Sequence, residues 1–255
     1  MQVNQMSRRA ILGAGLTTAA GIFTKPSLAA GTQPRFKAMA FDAFPVFDPR
    51  PISALAEQLY PTHGAALINL WRLRQFEYTW LRTAAGRYAD FMAVTGDSLA
   101  FATQSLKLEM PEEKRDQLLN AYLKLTAWPD AAPALQKLRA AGVRLAFLSN
   151  FTPPMLNGSI KASGLENVFE HILSTDIAKT YKPDPKAYQL GIDTLQLPKE
   201  QILFVAFAGW DAAGAKAFGY PTFWVNRLGT PPERLGETAD GEGRSLTDLL
   251  TFVGL

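Results

Sequence analysis

Phe36-Lys37-Ala38-Met39-Ala40-Phe41-Asp42 is a short, mostly apolar run that stops on a carboxylate, and it reads as a strand. Arg144-Leu145-Ala146-Phe147-Leu148 ends in the same way, on Ser149-Asn150. Gln201-Ile202-Leu203-Phe204-Val205-Ala206 and Thr222-Phe223-Trp224-Val225 are two more such runs, and His171-Ile172-Leu173-Ser174 is a weaker one. The segments between them carry helical spacing. Residues 132–141 contain Leu135 and Leu138 and close on Gly142, a helix-stop signal. Residues 187–195 and 212–218 are further helices, the second ending at Gly219. Apolar strands alternating with amphipathic helices predict an α/β fold, a parallel sheet with helices on both faces.

Residues 51–126 break that alternation. No convincing strand run occurs there, and 52–60, 65–84, 88–106 and 111–125 all read as helices. A helical block after the first strand of an α/β fold predicts an inserted all-helical cap domain at 49–126, with the core formed by 30–48 and 127–255. Pro49-Arg50-Pro51 and Ala127-Trp128-Pro129-Asp130 are the expected hinges. The stretch from Gly229 to Gly243 is polar and turn-rich.

Of the 255 residues 47% are apolar and 19% charged, which argues for a globular chain and against wholesale disorder. There is no cysteine, so disulfides, thiolate metal sites and a cysteine nucleophile are excluded. The two histidines, His63 and His171, cannot form a His-rich zinc site by themselves. The net charge of +3 invites an anionic partner, so the position of the charges matters. Residues 1–29 hold Arg8, Arg9 and Lys25 and no acid; subtracting these three from 26 basic residues leaves 23 against 23 acidic ones. Ser7-Arg8-Arg9-Ala10-Ile11-Leu12 opens an apolar run to Phe23, and Pro26-Ser27-Leu28-Ala29 supplies small residues at a cleavage site. This is the layout of an export signal, and its paired arginines resemble a twin-arginine signal. The expectation is a periplasmic protein of near-neutral charge, with no nucleic-acid partner and no membrane partner after cleavage.

Polar groups follow the ends of successive strands: Asp42, Ser149-Asn150, Lys182 and Asp211. In an open parallel sheet the strand carboxyl ends form the ligand crevice, so these groups are expected to converge. Taken one at a time, each could be an ordinary turn residue. All four in order and at these spacings resemble one family, the haloacid dehalogenase superfamily, and within it the type II L-2-haloacid dehalogenase branch. The stretches that carry the resemblance are Ala40-Phe41-Asp42-Ala43-Phe44, Leu70-Trp71-Arg72, Gln75 to Arg82, Leu148-Ser149-Asn150, Tyr181-Lys182-Pro183-Asp184 and Gly209 to Ala215. Phe218 to Thr222 and Trp224-Val225-Asn226-Arg227 extend it across nearly all of the mature chain. The fold it implies is a Rossmann-like parallel sheet core with an inserted helical cap.

The resemblance also implies roles. Asp42 would be the nucleophile, displacing halide from C2 of a small (S)-2-haloacid to form an ester that water hydrolyses. Lys182 would keep Asp42 ionised and oriented. Arg72, from the cap, would hold the halide or the substrate carboxylate, with Ser149 and Asn150 adding donors. Phe44, Phe91 and Trp210 would wall a dry pocket, Tyr188 would hydrogen-bond near the site, and Asp211 would orient Lys182 and help activate water. No cofactor is implied. The partner would be a small 2-haloacid or other small carboxylate, with a homodimer formed through cap helices. Superfamily phosphatases carry a second aspartate two residues after the nucleophile; here Phe44 stands there, so a magnesium phosphotransferase is not expected.

Two stretches depart from the resemblance, and within them Val46, Ala206 and Ala208 stand in place of polar groups. Pro45-Val46 replaces the usual Gly-Thr, and Ala206-Phe207-Ala208 replaces the usual Ser-Ser-Asn. Each lost buried hydrogen bond costs about 1–3 kcal/mol, or about one to two decades in rate if it acts on the transition state. The alternative function is therefore a catalytically impaired relative that binds a small carboxylate. Elsewhere the simpler readings hold: Trp71 and Trp80 as cap core, Arg74, Arg82 and Arg87 as solvated charges, Asp48 and Asp184 as turn or capping residues, and Asn226 and Arg227 as supports of the sheet end.

Overall fold

A computed structural model describes residues 35–255 of the chain. The export segment expected at 1–29 lies outside the described residues. The strands are β1 (Ala38–Phe41), β2 (Arg144–Ser149), β3 (His171–Ser174), β4 (Ile202–Ala206), β5 (Thr222–Val225) and β6 (Gly241–Gly243). They form one sheet in the order β3-β2-β1-β4-β5-β6, and all five pairings are parallel. This is the doubly wound order, and it reverses between β1 and β4. The ligand crevice of such a sheet opens beyond the strand ends at that reversal, where Asp42 follows β1.

The period of two along each strand sends alternate side chains to opposite faces. Met39, Phe41, Phe147 and Val205 pack with Leu135 and Leu138 of α5 (Ala131–Ala140), Leu156 of α6 (Pro153–Ala162) and Leu249 of α9 (Leu246–Val253). Ala38, Ala40, Leu148 and Phe204 face the other way, against Tyr188 of α7 (Pro185–Leu195) and Ala212 and Ala215 of α8 (Gly209–Phe218). Both faces are covered, which is why the strands read as continuous apolar runs. Each fully buried Leu or Phe contributes about 1.5–3 kcal/mol, so packing on the two faces outweighs the local propensities of these short helices.

Between β1 and α5 lie α1 (Arg50–Leu59), α2 (Gly64–Ala84), α3 (Phe91–Ser105) and α4 (Glu112–Ala121), with no strand among the described residues of that stretch. Trp71 of α2 is fully buried; its indole N–H donates to the Thr95 carbonyl of α3 at 2.8 Å, and its ring meets Tyr122 edge-on at 5.6 Å. Gln75 Nε2 donates to Thr95 Oγ1 at 2.7 Å, and Tyr122 Oη donates to Gln75 Oε1 at 3.4 Å. This buried network fixes the register of α2 and α3, and with it the height of Arg72, the residue after Trp71. Trp80 differs from expectation: it is 37% exposed, because it sits two turns beyond Trp71, past the buried network.

The chain leaves the core at Val46–Asp48 and returns at 126–128, and these two segments run side by side. Asp48 N–H donates to the Thr126 carbonyl, and Trp128 N–H to the Val46 carbonyl, each at 2.9 Å. Trp128 Nε1 donates to the Phe44 carbonyl at 3.0 Å. Arg227 pairs with Asp130 at 3.0 Å, donates to the Pro45 carbonyl and lies over the Trp128 ring. The two crossing segments, 46–48 and 126–128, are thus bonded to each other and to the end of the sheet. Asn226 bonds Thr230 and Glu242 nearby, while Asp184 caps α7 and Asp48 accepts from the backbone and side chain of Arg50.

Three elements go beyond the sequence reading. β6 forms in the polar stretch because its backbone extends the sheet beside β5. Its glycines let α9 close over it: a Cβ on Gly243 would lie 2.4 Å from Asp248 Cβ. α6 follows a Thr152 cap and Pro153, and α9 follows a Ser245 cap. Both start signals are present in the sequence.

Candidate active site

Asp42 is the first residue past β1, and its N–H donates to the Val205 carbonyl of β4, which fixes its backbone across the sheet reversal. Its Oδ1 accepts Lys182 Nζ at 2.9 Å and Ser149 Oγ at 3.1 Å. Its Oδ2 accepts only the Phe44 N–H, at 3.3 Å. Ser149 ends β2, the neighbour of β1, so its hydroxyl reaches Asp42 directly. Lys182 lies between β3 and α7 and also donates to Asp211 Oδ2 at 2.6 Å. Asp211 sits in the first turn of α8, where the helix dipole favours an anion. Its Oδ1 accepts Tyr188 Oη at 2.8 Å.

Lys182 and Asp211 are each 1% exposed at the side chain, while Asp42 is 13% exposed. Burial pushes the Asp211 carboxyl up to about 6; Lys182 pulls it down, and Asp42 adds repulsion. Burial by itself would lower the Lys182 ammonium, yet attraction to Asp211 and Asp42 outweighs it and holds the group above its ordinary value. One buried cation therefore serves two carboxylates. Among the described residues no group of three or more His, Asp or Glu side chains is placed to hold a metal ion. The charge facing Asp42 comes from Lys182.

Asn150, next to Ser149, accepts Lys182 N–H at 3.0 Å and Thr175 Oγ1 at 3.2 Å through Oδ1. This sets the orientation of the amide and leaves Nδ2 as a buried donor with no protein partner. A buried donor without a partner costs about 1–3 kcal/mol, which a ligand acceptor would recover.

A cavity of about 50 Å³ opens above Asp42. Eight of the ten expected site residues line it: Asp42, Phe44, Arg72, Phe91, Ser149, Asn150, Trp210 and Asp211. Lys182 and Tyr188 do not. Lys182 lies beneath, between the two carboxylates, and Tyr188, expected among the substrate-binding residues, is buried behind Asp211 and bonds to it. Ser149 likewise spends its hydroxyl proton on Asp42. Arg72 has no ion-pair partner among the described residues, so its charge is available to the cavity. Phe76, Phe151 and Phe207 also line the wall and escaped the sequence reading. A signal for each was present: Phe76 is one helical turn past Arg72, and the other two follow strand ends. Phe44, in the position that decides against a second aspartate, packs edge-on with Phe151 at 5.1 Å and beside Phe207 at 5.5 Å. Of the three departures, Val46 and Ala206 are buried off the cavity, and only Ala208 lines it.

Comparison with known proteins gives a consistent picture. Residues 18–219 match the family model of the haloacid dehalogenase-like hydrolases. The chain is 38% identical over 211 residues to the (S)-2-haloacid dehalogenase of Pseudomonas sp. (strain YL), covering 82% of this chain and 91% of the relative. A crystal structure of an L-2-haloacid dehalogenase superposes with a TM-score of 0.85 at 42% identity, over 86% of this chain and 99% of the other. The L-2-haloacid dehalogenase from Xanthobacter autotrophicus with chloropropionic acid covalently bound superposes at 0.79 and 34% identity, over 86% and 98%.

The sharing of one buried ammonium makes Lys182→Met a sensitive test. Removing the charge leaves two carboxylates facing each other in a dry site, so urea unfolding at neutral pH should show a loss of about 3–5 kcal/mol. Because Lys182 itself holds the Asp211 carboxyl down at about 6, the variant's carboxyl takes up its proton above that value, and the loss should shrink as pH falls toward about 6. A loss that stays the same from pH 8 to about pH 4 would mean that charge compensation is not what Lys182 contributes.

Proposed function

The chain belongs to the haloacid dehalogenase-like hydrolases, and from that premise we propose that it hydrolyses the carbon–halogen bond of a small (S)-2-haloacid, giving the 2-hydroxy acid and halide. One observation carries the reading: Asp42 is clamped at Oδ1 by Lys182 and Ser149, while Oδ2, held only by a long N–H contact, is left to react beneath Arg72.

In the first step an Oδ2 lone pair attacks C2 of the acid. The C2–halogen bond breaks, halide leaves with its electron pair, and an aspartyl ester remains. Arg72 and Asn150 Nδ2 are the donors on the cavity wall for the substrate carboxylate and the departing halide. Ringed by Phe44, Phe76, Phe91, Phe151, Phe207 and Trp210, they act in a water-poor space where charge is weakly screened. In the second step water attacks Cγ of the ester. Asp211, mostly carboxylate at neutral pH, takes a proton from that water, and Lys182 holds Oδ1 as negative charge builds there. Collapse breaks the Cγ–Oδ2 bond, the departing C2 oxygen takes the proton held by Asp211 to give the 2-hydroxy acid, and the regenerated Asp42 carboxyl loses its proton to solvent. Tyr188 keeps Asp211 aimed.

Three organisational readings complete the proposal. Residues 49–126 act as the cap that delivers Arg72 and Phe91. Residues 1–29 act as a twin-arginine-type export signal, so the mature protein works in the periplasm. Two copies form a homodimer, supported by the exposed Leu73 and Leu81 of α2.

The purified protein should release chloride from (S)-2-chloropropionate, and Asp42→Asn should fall to the buffer level while remaining folded. The acid limb of kcat should lie at or below about pH 6, because the esterified Asp42 no longer repels charge on Asp211, which ceases to be a base once it takes up a proton. A folded protein that releases no chloride sinks the reading for this substrate. Intact-mass measurement separates the two steps: a persistent adduct on Asp42 marks ester hydrolysis as the slow one. Replacing Arg8 and Arg9 by Lys should keep the full-length protein in the cytoplasmic fraction; unchanged export would refute the twin-arginine reading. Sedimentation of the mature protein should give twice the chain mass, and a monomer at tens of micromolar would remove the dimer.

A further inference from the structure

We propose that Trp80, although outside the catalytic cavity, sets the acyl-chain length of the substrate by holding Trp210 as a plug. This inference rests on the dehalogenase reading above. The cavity of about 50 Å³ suits an acid of a few heavy atoms, and its walls are mostly aromatic rings. A longer alkyl substituent at C2 needs further apolar volume. One adjoining space, shared at Phe44, Arg72 and Phe76, offers only about 10 Å³.

The other adjoining space is far larger. A groove of about 920 Å³ runs between the end of α2, the Tyr181–Pro185 loop and α8, and Trp210 belongs to both its wall and the wall of the catalytic cavity. Ala213 and Ala217 continue from Trp210 along the same face of α8, and their small size leaves the groove open, while Gly214 between them lets Pro183 and Tyr188 pack close. The groove and the site thus share one wall residue, the Trp210 indole. That indole is held from two sides: Phe76 meets it at 5.4 Å with planes at 62°, and Trp80 meets it edge-on at 5.4 Å with planes at 82°. Phe76 and Trp80 stack on each other at 6.2 Å, closing the three-ring cluster. Phe76 faces the cavity and Trp80 faces the groove. Trp80 is therefore the back stop of the plug and touches none of the reacting groups. With Trp80 in place, a substituent longer than methyl meets the Trp210 ring. With it gone, Trp210 has room to turn toward the groove, and the alkyl chain can follow along α8.

The test compares wild type, Trp80→Ala and Trp80→Phe on (S)-2-chloropropionate and (S)-2-chlorohexanoate. Trp80 is 37% exposed, so neither variant removes core packing. Wild type should favour the propionate. Trp80→Ala should raise the hexanoate-to-propionate ratio of kcat/KM by about tenfold or more, the scale on which a hydrophobic pocket discriminates added methylenes. Trp80→Phe keeps an aromatic edge against Trp210 and should behave as wild type. The proposal is overturned if Trp80→Ala leaves the ratio unchanged or slows both substrates in proportion, or if wild type already accepts the hexanoate equally. Calorimetric affinities for propionate and hexanoate read the same plug without turnover. If no protein releases chloride, the dehalogenase reading fails, and the affinities still decide the plug: hexanoate must gain on propionate in Trp80→Ala alone.

Discussion

A buried ammonium between two carboxylates is the constraint on which the site depends. Lys182 is sealed from solvent, so its charge must be met by protein groups, and Asp42 and Asp211 meet it at 2.9 and 2.6 Å. Two carboxylates that close would repel each other without it. The arrangement fixes both: Oδ1 of Asp42 is committed to Lys182 and Ser149, and Asp211 is committed to Lys182 and Tyr188. What remains open, Oδ2 of Asp42, is therefore decided by the electrostatics beneath it. The same lysine ties three separate stretches of chain into one unit, since Asp42 follows β1, Asp211 opens α8 and the Lys182 amide is held by Asn150 after β2.

The upper half of the site comes from the helices between β1 and α5. Their own buried polar network, from Trp71 and Gln75 to Thr95 and Tyr122, sets the position of α2, and Arg72 is carried with it. The paired segments at 46–48 and 126–128 bond to each other and, through Trp128 and Arg227, to the core. At the far side Tyr88 donates to Asp176 at 2.7 Å, and Tyr181, the neighbour of Lys182, donates to the Ala89 carbonyl just before Phe91. Helical insert and sheet are thus bonded on both flanks of a small apolar cavity. A positive charge without an ion-pair partner in such a place has its effect on whatever anion enters.

Legibility in the sequence followed the physics of each feature. The parallel sheet was plain because strands buried on both faces must be largely apolar, and the runs at β1, β2, β4 and β5 were; β3, at the sheet edge with His171 and the exposed Ile172, was weaker. β6 carries no apolar residue at all; it exists because β5 presents a free backbone edge, which no side-chain pattern announces. Asp42, Ser149, Lys182 and Asp211 could be found because they follow strand ends or recurrent motifs. Phe76, Phe151 and Phe207 were harder to find, since aromatic residues in a chain like this one are ordinarily core, and only the fold shows which of them face the cavity. Tyr188 belongs to the site, but as a partner of Asp211 rather than as part of the cavity wall. Trp80 reversed its expected place, from cap core to a half-exposed ring on the groove side of Trp210.

The sequence by itself determined which chemical groups are available: carboxylates and no thiol, a phenylalanine two residues after Asp42, and central strands that had to be covered on both faces. These follow from composition and local spacing, which need no third dimension. Tertiary structure alone decided which oxygen of Asp42 is free, which donor of Asn150 lacks a partner, and which indole lines both a cavity of about 50 Å³ and a groove of about 920 Å³. The reason is physical. Such properties depend on contacts between residues far apart in the chain, and the burial of Lys182 that orders them exists only once β1, β2, β4 and α8 have come together.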